Sequence, residues 1–206
     1  EGLAKERPDT AARVARMLSI HVRELSREYP AKKPPEGASP DELRDWAAKL
    51  TPIRPDMEKA AQSLGRLLRI DGHDIASADI DLRQANLQGF DLGSLTFENA
   101  RFDGAMMQGA YLSGAMMDEN TDLTAATLRG AALRAVDCTD LPHLTAHVAD
   151  MFGDATVILP DEDRPAHWPR IDLKRRFDDE WRRWLREGAD YVPPKTFADI
   201  PDSPKS

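Results

Sequence analysis

Few residues of this 206-residue chain stand at spacings that could do chemistry. His143 and His147 lie four apart with Asp150 beyond them, so a helix there would bring them to one face as metal ligands. The Glu of an H-E-x-x-H pair is missing and no other ligand cluster accompanies them, which makes a solvent-facing cap helix the better reading. Cys138, the sole cysteine, is a conceivable nucleophile, but the pattern described below turns it inward and places no histidine beside it. The spacing Gly104–Gly109–Gly114 resembles a phosphate loop superficially and lacks the Lys-Ser/Thr that would hold a phosphate. The acids between residues 81 and 140 are interleaved with arginines, as in a solvated lattice of ion pairs. These residues make no catalytic constellation, and the chain is expected to be a non-enzyme without cofactor or metal.

Composition narrows the partners. The chain holds 28 Lys and Arg against 36 Asp and Glu, a formal net charge of −8, which disfavours wrapping a phosphate backbone; no nucleic-acid partner is expected. A single cysteine fits a reducing compartment and excludes an internal disulfide. No apolar run approaches the ~18 residues of a membrane span, so this piece of chain should not itself contact a membrane. The first residues, "EGLAKER", read as the end of a helix that starts upstream.

The elements that must position any site change character along the chain. In 9–28, Val14, Met17, Leu18, Val22 and Leu25 form one stripe at helical spacing. A proline-rich linker, "YPAKKPPEGASP", fills 29–40. Ser39-Pro40-Asp41-Glu42 then opens a second helix with Ser at the N-cap, Pro at N1 and Glu completing a capping box. Residues 56–68 give a third, burying Met57, Ala60, Ala61, Leu64, Leu67 and Leu68. Residues 1–70 thus read as a helical module.

From Ile80 the period becomes five. Leu82, Leu87, Leu92, Phe97, Phe102, Met107, Leu112 and Met117 are centres; after one inserted residue near Asn120 the series resumes at Leu123, Leu128, Leu133 and Cys138. The residue two before each centre is usually Ala. A five-residue repeat suits a square coil in which each repeat makes one side and four make a turn, with turns stacked at ~4.8 Å. Residues 20 apart should then stack. Gln88, Gln108 and Arg129 fall into one column, and Gly89, Gly109 and Gly130 into a corner column whose backbone disfavours a Cβ.

The stretches "ANLQG", "AYLSG" and "ATLRG" resemble the A-(D/N)-L-x-x signature of pentapeptide repeat proteins. That resemblance implies an α+β chain: a right-handed quadrilateral parallel β-helix of about three coils over 71–141, flanked by N-terminal helices and a C-terminal helical cap. Residues 142–206 would form that cap and an extension, with Leu144–Phe152 as the capping helix and another helix near 177–187 packed sideways on the coil or against the N-terminal helices. Helices leading into "IDLRQANL" are also similar to a bacterial subgroup in which membrane-spanning helices precede the coil. This implies a cytoplasmic location with tethering to the inner membrane through an upstream segment.

Function is then expected on the outer surface. Met106 and Met116 stand one before a centre and point outward, as do Tyr111, Arg129 and Arg134; they are the candidate partner-binding residues, unless the chain's own helices cover them. The leading expectation is a protein-interaction or scaffold module with an unidentified protein partner, homo-oligomers being left open. The alternative, implied by the resemblance, is a DNA mimic that binds topoisomerases; three coils rise only ~15 Å, and acids interleaved with Arg make no continuous track.

Overall fold

The structure is a computed structural model that describes residues 8–67 and 80–200. Residues 1–7, with their expected helix end, and Leu68 lie outside the described residues. Three helices come first: α1 (Pro8–Glu28), α2 (Pro40–Ala48) and α3 (Pro55–Leu67). α1 packs on α3, burying Ala11, Ala15 and Val22 against Met57, Ala61 and Leu64, whereas Met17 of the expected stripe is largely exposed. The N-terminus of α2 carries the expected capping box: Ser39 N donates to Glu42 Oε2 at 2.7 Å and Glu42 N to Ser39 Oγ at 3.3 Å.

Residues 80–159 wind into a β-helix-type coil. Parallel bridges join Asp81 to Arg101, Asn86 to Met106, Asp91 to Tyr111 and Thr96 to Met116, each pair 20 residues apart, so four bridge positions recur per turn. Across the inserted residue the offset becomes 21, as in Arg101 with Asp122 and Met106 with Thr127. Asp118 and Thr121 tie this bulge down: Asp118 Oδ1 accepts from Asn99 N, and Thr121 Oγ1 donates to Phe97 O at 3.0 Å. Most sides are single bridges; the strands among the described residues are β1 (Ala132–Leu133) and β2 (Phe152–Gly153), paired in parallel. The centres and the residues two before them are buried throughout 80–138 except Met117, which is partly exposed.

The Asp or Asn that precedes many centres has a local cause. Its side chain accepts from the backbone N–H two residues on, at Asp81–Arg83, Asn86–Gln88, Asp91–Gly93, Asp122–Thr124 and Asp137–Thr139. Each of these five corners is thus closed by an Asx turn that leaves the next residue free to point inward.

The five-residue pattern ends at Leu141, but the coil does not. The segment expected as a capping helix holds no continuous helix, only the end of a four-residue α4 (Pro142–Thr145) and one 3-10 turn (Val148–Asp150); Asp150 O accepts from Gly130 N, β2 pairs with β1, and Ile158 bridges Asp137. Leu144, Val148, Met151 and Val157 fill the interior of this added turn. Burial of apolar side chains was kept while the small-then-large repeat was not, which hid the turn from a period search.

Each end of a parallel stack leaves backbone N–H and C=O groups of its outermost turn without a neighbouring turn. Among the described residues the N–H groups of Asp81, Asn86, Asp91 and Thr96 have no preceding turn to donate to, and α1 and α3 supply all four acceptors. Ser19 Oγ takes Asp81 N at 3.3 Å, Ser26 Oγ takes Asn86 N at 2.9 Å, Glu58 Oε1 takes Asp91 N at 2.8 Å, and Gly65 O takes Thr96 N at 3.1 Å. Each helix contributes a pair seven residues apart, two helical turns or about 10.5 Å. At the far end both kinds of group are taken up by the C-terminal segment, and Ala155 N donates to Ile171 O at 3.3 Å. Trp168 Nε1 donates to Met151 O at 2.8 Å, and Arg164 donates to Asp154 O and Val157 O at 3.1 and 2.7 Å. Trp168 is 1% exposed, and a Cβ on Gly153 would lie 2.6 Å from its ring. A glycine therefore stands at a centre position because the indole plugs the coil there. A buried amide or carbonyl left without a partner costs about 1–3 kcal/mol, which makes such caps a condition of folding.

A last helix, α5 (Phe177–Glu187), lies along the flank against α2.

Candidate functional site

The second side of the coil, with its Gln88–Gln108–Arg129 column and glycine corners, is where the chain's other elements converge. Gly89, Gly109 and Gly130 have φ of +70°, +68° and +74°. Other corners reach the same left-handed region without glycine, as at Gln84, Ser94, Asn99, Ala125 and Ala135. What sets the second side apart is the approach of the C-terminal end of α2. A Cβ on Gly89 would lie 2.7 Å from Leu50 O, on Gly109 2.7 Å from Ala47 O, and on Gly130 2.7 Å from Ala47 Cβ. These contacts require the glycines and hold α2 flat on the coil.

Above this seat the linker is gripped by an amide. Lys32 N donates to Gln88 Oε1 at 2.8 Å, and Gln88 Nε2 donates to Lys32 O at 3.0 Å, so one carboxamide holds both backbone groups of one residue. The same column continues as a ladder: Gln88 Nε2 donates to Gln108 Oε1 at 3.1 Å and Gln108 Nε2 to Thr127 Oγ1 at 2.7 Å.

Between linker, α2 and coil lies a groove of about 350 Å³. Pro34, Leu43 and Trp46 form its apolar wall, and Gln108, Thr127 and Arg129 line the opposite side. Asp150 closes it with an ion pair to Arg129 at 3.2 Å, beside His147. Burial pushes the His147 imidazole below its ordinary value, which favours the neutral ring. Aromatic and aliphatic groups facing a few placed polar ones are the surface of a recognition groove.

The five residues singled out from sequence do not form one patch. Tyr111 is half-covered by α5, its ring 6.3 Å from Phe177 and 5.8 Å from Trp181, and burial raises its hydroxyl pKa. Arg134 is drawn into the same contact: it donates to Asp172 at 2.8 Å, stands 3.5 Å from buried Asp154, and lies over the Phe177 ring. Met106 is partly buried on the second side between Asn86 and Thr127, Met116 is 40% exposed on another, and Arg129 alone edges the groove. Trp46, Leu43 and Gln108 were not anticipated. The glutamine column was visible, but that Trp46 would face it depends on where α2 lands.

The other candidates have ordinary surroundings. Cys138 is buried and its thiol is pushed up to about 12, first by desolvation. His143 Nδ1 lies 3.4 Å from the Thr124 hydroxyl, and no group of three metal-ligating side chains exists among the described residues. Nor, among them, is any helix long and apolar enough to cross a membrane.

No curated protein and no solved structure matches this chain. A family model does: residues 80–117 match the pentapeptide repeats model in eight copies, so the first two turns of the coil are built of pentapeptide repeats.

Proposed function

We propose that this chain is a non-enzymatic protein-interaction module, a scaffold in which a right-handed quadrilateral coil presents a partner surface. One observation carries the reading: the groove between the Pro34–Leu43–Trp46 wall and the Gln108–Arg129 column, held open by helix-on-glycine contact. Pentapeptide repeats commonly mediate protein interactions, which agrees with it. The DNA-mimic reading lacks comparable support, because Asp81 faces Arg23, Arg83 and Arg101 and Asp150 faces Arg129. A bacterial source and a cytoplasmic, inner-membrane-tethered location belong to the same proposal and rest on resemblance; cell fractionation tests them. For the module itself, a photo-crosslinking residue at exposed Thr127 should capture a discrete protein in cells, and the same residue at exposed Asp163 should not. Identical capture profiles at the two positions would remove the groove from the account.

A further inference from the structure

The groove is also specific in what it can hold. Gln88 and Gln108 are successive members of one column, and Gln88 shows what such an amide does here: it takes the N–H and C=O of a residue in an extended, proline-flanked segment. Lys32 lies between Pro30 and Pro34, and the residue before each proline is biased to extended or polyproline II backbone. One turn along, Gln108 uses one amide proton toward Thr127 and one lone pair toward Gln88. Its second proton and second lone pair have no partner among the described residues, and they border the groove. There the apolar wall of Trp46, Leu43 and Pro34 stands opposite.

We infer that the groove binds an extended, proline-containing peptide segment of a partner protein, laid beside the chain's own linker. Gln108 holds its backbone as Gln88 holds Lys32, and a proline ring rests on Trp46 and Leu43. This rests on the interaction reading above and narrows it to one chemistry. Three things favour that occupant: it continues the linker's own contact with the same column, it needs the main-chain pair that Gln108 offers, and prolines pack on aromatic walls at little entropic cost. A groove of about 350 Å³ admits a few residues, so binding will be weak and rapidly reversible.

The probe is a synthetic peptide with the linker sequence, Pro-Ala-Lys-Lys-Pro-Pro-Glu, titrated to millimolar concentration into the isotope-labelled full chain. The Trp46 indole N–H and the Gln108 carboxamide signals should shift, while the Gln88 carboxamide holds its position. Gln108→Leu should weaken binding about tenfold, as expected for a lost pair of hydrogen bonds. Because that change also removes a ladder bond, Trp46→Leu, which touches none, must weaken binding as well. A peptide with its prolines replaced by alanine should bind several-fold less.

Absence of shifts in the natively folded chain overturns the inference, as does equal binding of the alanine peptide. Shifts centred on Gln88 with growth of a dimer mean that the occupant is the linker of a second copy, and also overturn it. The two proposals fail separately. Crosslinking at Thr127 to a partner segment that is helical or lacks proline refutes the peptide chemistry and keeps the interaction module, whereas loss of all specific capture refutes the module.

Discussion

Two corner columns of the coil have the same backbone conformation and different sequences. On the first side the column is Gln84, Gly104 and Ala125, with φ of +57°, +64° and +55°; on the second it is Gly89, Gly109 and Gly130. The left-handed corner therefore does not by itself demand glycine, since a glutamine and an alanine occupy it at a cost of roughly 1 kcal/mol. The all-glycine column is explained by what lies on it. Around Gly104 the nearest atom to a new Cβ is Gln84 Cγ at 3.4 Å, an ordinary contact, whereas each second-side glycine has α2 or the residues just after it at 2.7 Å. Glycine thus marks a docking seat, and the seat sets the width of the groove beside it.

That comparison can be broken by substitution. Gly130→Ala adds overpacking against Ala47 to the strain of the corner and should lower stability by about 2–4 kcal/mol, read by urea unfolding. It should also shift the Trp184 surroundings, because Leu185 of α5 lies against the same glycine. At the coil's open end a helix makes contact by a hydroxyl rather than by backbone approach, so Ser26→Ala leaves the Asn86 amide unpaired instead of forcing atoms apart. Its expected cost is about 1–3 kcal/mol, seen as faster exchange of the Asn86 amide hydrogen. Gly104→Ala is the control for conformation alone, with a loss of roughly 1 kcal/mol and no change in α2.

The smallest effect concerns pH. Hydrogen bonding from Arg83 holds the Asp81 carboxyl at about 2, well below its ordinary value of roughly 3.9. The depressed value means that Asp81 contributes its stability fully above pH ~4 and loses it as pH falls through 2. Thermal midpoints of Asp81→Asn should show less loss between pH 4 and 2 than the natural chain. An unchanged slope would mean that Arg23, Arg83 and Arg101 do not act through that carboxylate.

Legibility followed period. The inward positions, the bulge after Met117 and the α2 capping box are local patterns, and all were visible in the residues themselves. So was the glycine column, although its cause was not: the conformation is local but the pressure from Ala47 and Leu50 is tertiary. The added turn over 142–159 was missed because it retains buried apolar groups without the five-residue spacing, and Asp154, wholly buried and bonded to Thr156 and Leu173, gave no sign of its role. The helix caps on the first turn were present as Ser19/Ser26 and Glu58/Gly65, each seven apart, yet polar residues on a helix's inner face have meaning only once the coil's free amides are in view. Tyr111 and Arg134 were correctly placed outside the coil, and α5 then covered them.

If the second-side glycines seat α2, hydrogen exchange locates the effect of filling them. Amide protection over Leu43–Ala48 should fall in Gly130→Ala and stay at its natural level in Gly104→Ala. Equal protection of this stretch in both variants would contradict the claim.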